Sequence, residues 1–79
     1  MDREEVLAKI IEFAADISGT DASEITEDSK TDDVVGVTSA KRVAMSASIE
    51  NEMDVMIPVA RFGKFETIGE LVDFIMDEM

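Results

Sequence analysis

Apolar residues recur at helical spacing near the start of the chain. They lie three or four residues apart and so mark one face of a helix: Val6, Leu7, Ile10, Ile11, Ala14 and Ile17. Asp2 and Glu5 before them have the spacing of a capping box, and Gly19 is typical of the position beyond a helix C-terminus. The pattern predicts a first helix over residues 3–18.

Residues 20–38 are mostly Asp, Glu, Ser and Thr and show no helical period. Such a stretch predicts an ordered loop that is pinned by a few apolar side chains, namely Ile25, Val34, Val35 and Val37. A loop of this length in a small chain is usually functional or mobile.

A second helix is predicted from Ser39 to about Met53, ending before Pro58. Its core face consists of Met45, Ile49 and Met53, while Ala40, Val43, Ala44 and Ala47 fall almost opposite. The alanines are good helix formers and need no further explanation. Val43 on this second apolar face does need one.

Two more elements complete the predicted fold. Phe62 and Phe65 anchor a short irregular turn of helix over residues 59–64. Thr67 and Glu70 have capping-box spacing ahead of the apolar stripe Ile68, Leu71, Val72, Ile75 and Met79, which predicts a last helix over residues 68–78. The predicted fold is all-α: a single domain over residues 1–79, formed by a small four-helix bundle of three longer helices and one short irregular helix, with a long loop between the first and second helices.

The 79 residues include no cysteine and no histidine. Disulfides, thiolate nucleophiles, the usual zinc sites and the commonest general base are therefore excluded. Asp28, Asp32 and Asp33 lack the glycine and the closing glutamate of a calcium loop. Glu50, Glu52 and Asp54 are interpreted as a solvated face. We expect no catalytic residue and no dedicated metal site.

Nineteen acidic residues against seven basic ones give a formal charge of −12. Such a charge repels nucleic acid and anionic lipid and attracts basic protein surfaces, although it also simply keeps a small protein in solution. No segment approaches the roughly 20 apolar residues of a membrane span, and the N-terminus lacks the features of a signal peptide. We expect a cytoplasmic monomer without nucleic-acid partners, whose folding improves with salt or divalent cations.

Ser39 is the candidate for covalent chemistry because it lies where the loop meets the second helix. Its hydroxyl is predicted beside unpaired helical N–H groups and the positive end of the helix dipole, where a phosphate is favoured. The alternative is that Thr38 or Ser39 caps the helix and does nothing more.

The sequence around Ser39 resembles the acyl carrier protein family without a gap. The matching features are "EIT" at residues 24–26, Gly36 three residues before Ser39, Val43, "IENEMDVMIP" at residues 49–58 and "TIGELVDFI" at residues 67–75. The first helix also fits, so the resemblance covers essentially the whole chain. The order and spacing of these pieces are specific, although no single piece is.

The resemblance implies that Ser39 carries 4'-phosphopantetheine, whose thiol holds an acyl group as a thioester. The implied partners are a phosphopantetheinyl transferase and the acyl-loading and acyl-transferring enzymes of one pathway. The family docks its partners through the helix that follows the serine, and we expect contacts at Ala40, Lys41, Arg42, Val43, Ala47 and Glu50.

The attachment motif departs from the family pattern. Thr38-Ser39-Ala40 replaces the usual Asp-Ser-Leu, and Lys41 and Ala44 stand where acidic residues are common. Since charge complementarity governs encounter, we expect a specialised lipid, lipopolysaccharide or natural-product pathway rather than general fatty-acid synthesis. One alternative is a degenerate carrier-like module that is never modified and only binds proteins. Another is an acidic inhibitor or adaptor whose bundle resembles the family by coincidence.

Overall fold

The computed structural model describes residues 1–36 and 38–79. Val37, predicted as an apolar anchor of the loop, lies outside the described residues. The α-helices are α1 (Arg3–Ser18), α2 (Thr31–Val34), α3 (Ser39–Met53) and α4 (Ile68–Glu78), and the 3₁₀ helices are η1 (Ala22–Glu24) and η2 (Val59–Lys64). The predicted all-α bundle of three longer helices and one short irregular helix is confirmed.

Helix ends follow the predicted caps. The Asp2 side chain accepts a 2.9 Å hydrogen bond from the Glu5 N–H at the start of α1, and Gly19 closes that helix with φ +77°. At α4 the capping box is complete: Thr67 Oγ1 accepts from the Glu70 N–H, and the Glu70 carboxylate accepts from the Thr67 N–H. These local bonds explain why both helices begin where the sequence predicts.

The core forms one cluster to which all three long helices contribute. α1 packs against both α4 and α3, and the fully buried large side chains include Ile10 from α1, Met45 and Ile49 from α3, Phe62 from η2, and Leu71 and Ile75 from α4. The predicted core face of α3 is thus confirmed. Among the described residues, none of the helices has the length and apolar character that crossing a membrane requires.

The connection between α1 and α3 is more helical than the predicted ordered loop, because it contains η1 and the single turn of α2. It is tied to the start of α4 by backbone bonds: Thr31 donates to Glu66, Ile68 to Ser29, and Gly69 to Glu27, at 2.9–3.0 Å. These contacts join residues far apart in sequence. The predicted apolar anchors Ile25, Val34 and Val35 are buried beneath the connection.

Candidate functional site

The start of α3 separates the helix cap from the candidate serine. Thr38 is the N-cap, and its Oγ1 accepts a hydrogen bond from the Lys41 N–H at 3.4 Å. Ser39 is the first helical residue and is exposed. Of the two residues that the sequence offered as the cap, Thr38 therefore fills that role, and the exposed Ser39 hydroxyl is not used for it.

Gly36 shapes the backbone that leads into this helix. Its φ of +91° lies in the region that glycine adopts without a steric penalty. A Cβ added at Gly36 would lie 3.1 Å from Cδ of Lys41, so the lysine stem fills the space above the glycine. The turn therefore brings the Lys41 side chain over the loop just before Ser39.

The electrostatics of this helix end favour an anion. The first turn of α3 contains no acidic residue but includes Lys41 and Arg42. Cations are unfavourable at the positive end of a helix dipole, so this arrangement breaks the usual rule for an isolated helix. Such local conflicts are typical of functional sites. A phosphate on Ser39 would lie at the positive end of the α3 dipole in a turn without carboxylates, so the residues present fit a phosphoryl group.

Arg42 does not extend freely from α3. Its Nη2 lies 3.3 Å from Asp32 Oδ1, and its Nε donates to the Gly36 carbonyl at 3.4 Å. The Arg42 side chain is only 18% exposed. The structure therefore places this predicted partner-binding residue across the turn before Ser39, a contact that no local sequence pattern indicates.

The second apolar face of α3 is open to solvent. Ala40, Val43, Ala44 and Ala47 are all exposed, and Val43 is 52% exposed. Lys41, at one end of this face, and Glu50, at the other, are exposed as well. An exposed Val among alanines on one helix face is a candidate contact surface for a protein partner.

Met56 is a further exposed apolar side chain, which the sequence reasoning missed. It is 69% exposed between buried Val55 and Ile57, and the Ile57 carbonyl accepts a 2.7 Å hydrogen bond from Ser46 Oγ on α3. The period-2 alternation of an extended segment is the signal that would have placed Met56 outward.

An open depression of about 310 Å³ lies beside Arg42. Its lining is mostly polar and charged: Lys30, Asp32, Gly63, Lys64, Phe65, Glu66 and Glu70. Two cations and three carboxylates give it no strong preference for one sign of ligand charge. The depression shares Asp32 with the Arg42 ion pair, so the two features are contiguous.

Comparison with known proteins assigns the family. A family model described as the phosphopantetheine attachment site matches residues 8–75. An acyl carrier protein from Rubrobacter xylanophilus is 34% identical over 77 residues, which cover 98% of this chain and 95% of that protein. This chain belongs to the acyl carrier protein family.

Other relatives include one protein of similar length and one much larger protein. An acyl carrier protein from Thermotoga maritima is 32% identical over 73 residues, covering 92% of the carrier and 90% of the relative. A bikaverin polyketide synthase from Gibberella fujikuroi is 31% identical over 70 residues, covering 89% of the carrier but 3% of the synthase.

Membership supplies the cofactor that the sequence resemblance implied. The family's domain is the attachment site of 4'-phosphopantetheine, and its members are carriers rather than catalysts. When bound, this group provides the thiol that a chain without cysteine lacks. The positive end of α3 and the turn at Gly36 fit its phosphate.

Proposed function

We propose that the carrier holds 4'-phosphopantetheine on Ser39. The observation that carries this proposal is the division of roles at the start of α3, where Thr38 caps the helix and leaves an exposed Ser39 hydroxyl at its positive end. Ser39 also lies within the residues that the family model matches. In the transfer from coenzyme A, Ser39 Oγ forms the new P–O bond and loses its proton, and 3',5'-adenosine diphosphate leaves.

Incubation with coenzyme A and a broad-specificity phosphopantetheinyl transferase tests this assignment. The intact mass should rise by one phosphopantetheine, and Ser39→Ala should abolish the gain. Ser46→Ala is the matched control, because Ser46 lies on the same helix and its hydroxyl is bonded to the Ile57 carbonyl. A wild-type mass that stays unchanged with several transferases would favour the unmodified interaction module instead.

We also propose that the carrier serves a dedicated pathway with its own loading and transferring enzymes. Support comes from the charge of the docking helix. Residues 39–54 contain two cations and three carboxylates, a formal charge of −1, whereas the whole chain has a formal charge of −12. The two cations lie at the end of this segment nearest Ser39. An exposed Lys41 beside Val43 complements a partner carboxylate and repels a basic partner surface.

Turnover by general fatty-acid synthase components tests the dedicated role. The turnover of the loaded carrier by these components should be low. Lys41→Asp with Ala44→Glu should raise this turnover, because it restores acidic residues near Ser39. Ala8→Glu with Lys9→Asp on α1 changes the net charge equally and should leave turnover low. Wild-type turnover equal to that of a conventional carrier would refute the dedicated role without affecting the assignment of Ser39.

A further inference from the structure

Arg42, three residues after the proposed attachment residue, contacts three other segments of the chain. Its guanidinium contacts the Asp32 carboxylate on α2 and the Gly36 carbonyl in the turn before α3. A Cβ added at Gly63 in η2 would lie 3.6 Å from Arg42 Nη1, so the guanidinium also lies against η2. Arg42 thus has a defined position beside the start of α3.

The polar contacts that hold Arg42 are weak. At 3.3 and 3.4 Å they are longer than usual N–H···O hydrogen bonds, and the Asp32 side chain is 59% exposed, so water and salt screen this ion pair. The guanidinium is therefore held by contacts that a stronger acceptor can replace.

Ser39 and Arg42 are three residues apart on α3 and so lie on the same face of the helix. Long helical side chains lean toward the helix N-terminus, which is the direction in which Arg42 reaches the Gly36 carbonyl. A phosphodiester on Ser39 would place its negative oxygens on this face. Guanidinium binds phosphate through paired, charge-assisted hydrogen bonds, which are stronger than a single long bond to a carbonyl.

We infer that Arg42 binds the phosphodiester that joins the arm to Ser39, and gives up its bonds to Asp32 and Gly36 when it does so. This inference rests on the proposed attachment at Ser39. Arg42 is then a positioning residue that fixes the base of the arm, and Lys41 is left as the cation that partners meet on the docking helix.

A thermodynamic cycle tests this role. Unfolding is measured for the unmodified and modified forms of wild type, Arg42→Gln and Lys41→Gln, after mass spectrometry has shown one arm on each modified chain. Lys41→Gln is the matched control. It removes the same charge from the same turn, but Lys41 is two residues from Ser39, and side chains two residues apart on a helix do not face each other. Modification should raise the folding equilibrium constant of wild type, and Arg42→Gln should reduce that gain roughly tenfold.

Equal losses in the two variants, or no loss in Arg42→Gln, would overturn the contact and leave the attachment at Ser39 standing. A wild-type protein that never receives the arm would instead refute the proposed function itself. A second readout needs no variant. In ¹⁵N-labelled wild type, the Nε–H resonance of Arg42 should change its chemical shift on modification, and its proton should exchange more slowly with water. An unchanged resonance would contradict the inference even where Arg42→Gln folds poorly.

Discussion

Ser39 is the first helical residue of α3, and two nearby residues, not Ser39, cap the helix and form the turn before it. Thr38 supplies the capping oxygen and Gly36 supplies the left-handed turn. Serine at a helix start is common, so from sequence it was the register of Ser39 within the family pattern that favoured attachment over a simple cap. The structure adds the reason that the hydroxyl is available: the cap is one residue earlier.

Gly36→Ala should destabilise the fold by about 1–2 kcal/mol, since alanine at positive φ is strained and its Cβ would crowd the Lys41 stem. Urea denaturation measures the change. Gly63→Ala is the control, because its Cβ would meet Arg42 only at the ordinary contact distance of 3.6 Å. Equal midpoints for the two variants would show that the turn does not require glycine.

At the level of the helices, local sequence signals predicted the bounds of the long helices, whereas long-range contacts determine the structure of the connection between α1 and α3. Asp2, Thr67, Gly19 and Pro58 are caps and breakers whose effect is local, so α1, α3 and α4 could be placed from sequence. The single turn of α2 depends on hydrogen bonds such as Thr31 N–H to the Glu66 carbonyl, which no local pattern reveals. The Arg42 bonds were missed for the same reason.

Thr67→Ala should cost about 1 kcal/mol, because it removes the oxygen that caps the well-buried helix α4. The free energy of unfolding from urea titration measures the loss. Thr67→Ser keeps the hydroxyl and should retain most of the stability. A loss in the serine variant as large as that in the alanine variant would assign the effect to the lost methyl group instead of the cap.

The second apolar face of α3 should matter for partners and little for folding. Val43→Glu should lower the rate of acyl transfer by a pathway enzyme at least several-fold, while stability changes by no more than about 0.5 kcal/mol because the side chain is half exposed. Ala8→Glu adds the same charge on an exposed position of α1 and should leave transfer unchanged. Unaltered transfer by Val43→Glu would place docking elsewhere.

Over the whole molecule, the charge of −12 is held within a radius of gyration of 10.9 Å. The Debye length is about 10 Å at 0.1 M salt, so repulsion acts across most of the protein at lower ionic strength and is screened above it. Arg3 offsets part of this repulsion through ion pairs with Glu27 and Asp73. These ion pairs join α1 to the long connection and to α4.

The Tm should therefore rise between low and moderate NaCl concentration, as followed by circular dichroism. Glu12→Gln removes one exposed carboxylate from α1 and should raise the Tm at low salt more than at high salt. A Tm that does not depend on salt, or that falls as salt is added, would show that self-repulsion is not a major part of the stability.

The mass of the protein purified from its native cell tests the assignment of Ser39 most directly. Intact mass reports whether the arm is present, and fragmentation of the tryptic peptide covering residues 31–41 distinguishes Ser39 from Thr38. We predict one 4'-phosphopantetheine, with or without an acyl group, on Ser39. An unmodified protein, or an arm on any other residue, would contradict the assignment.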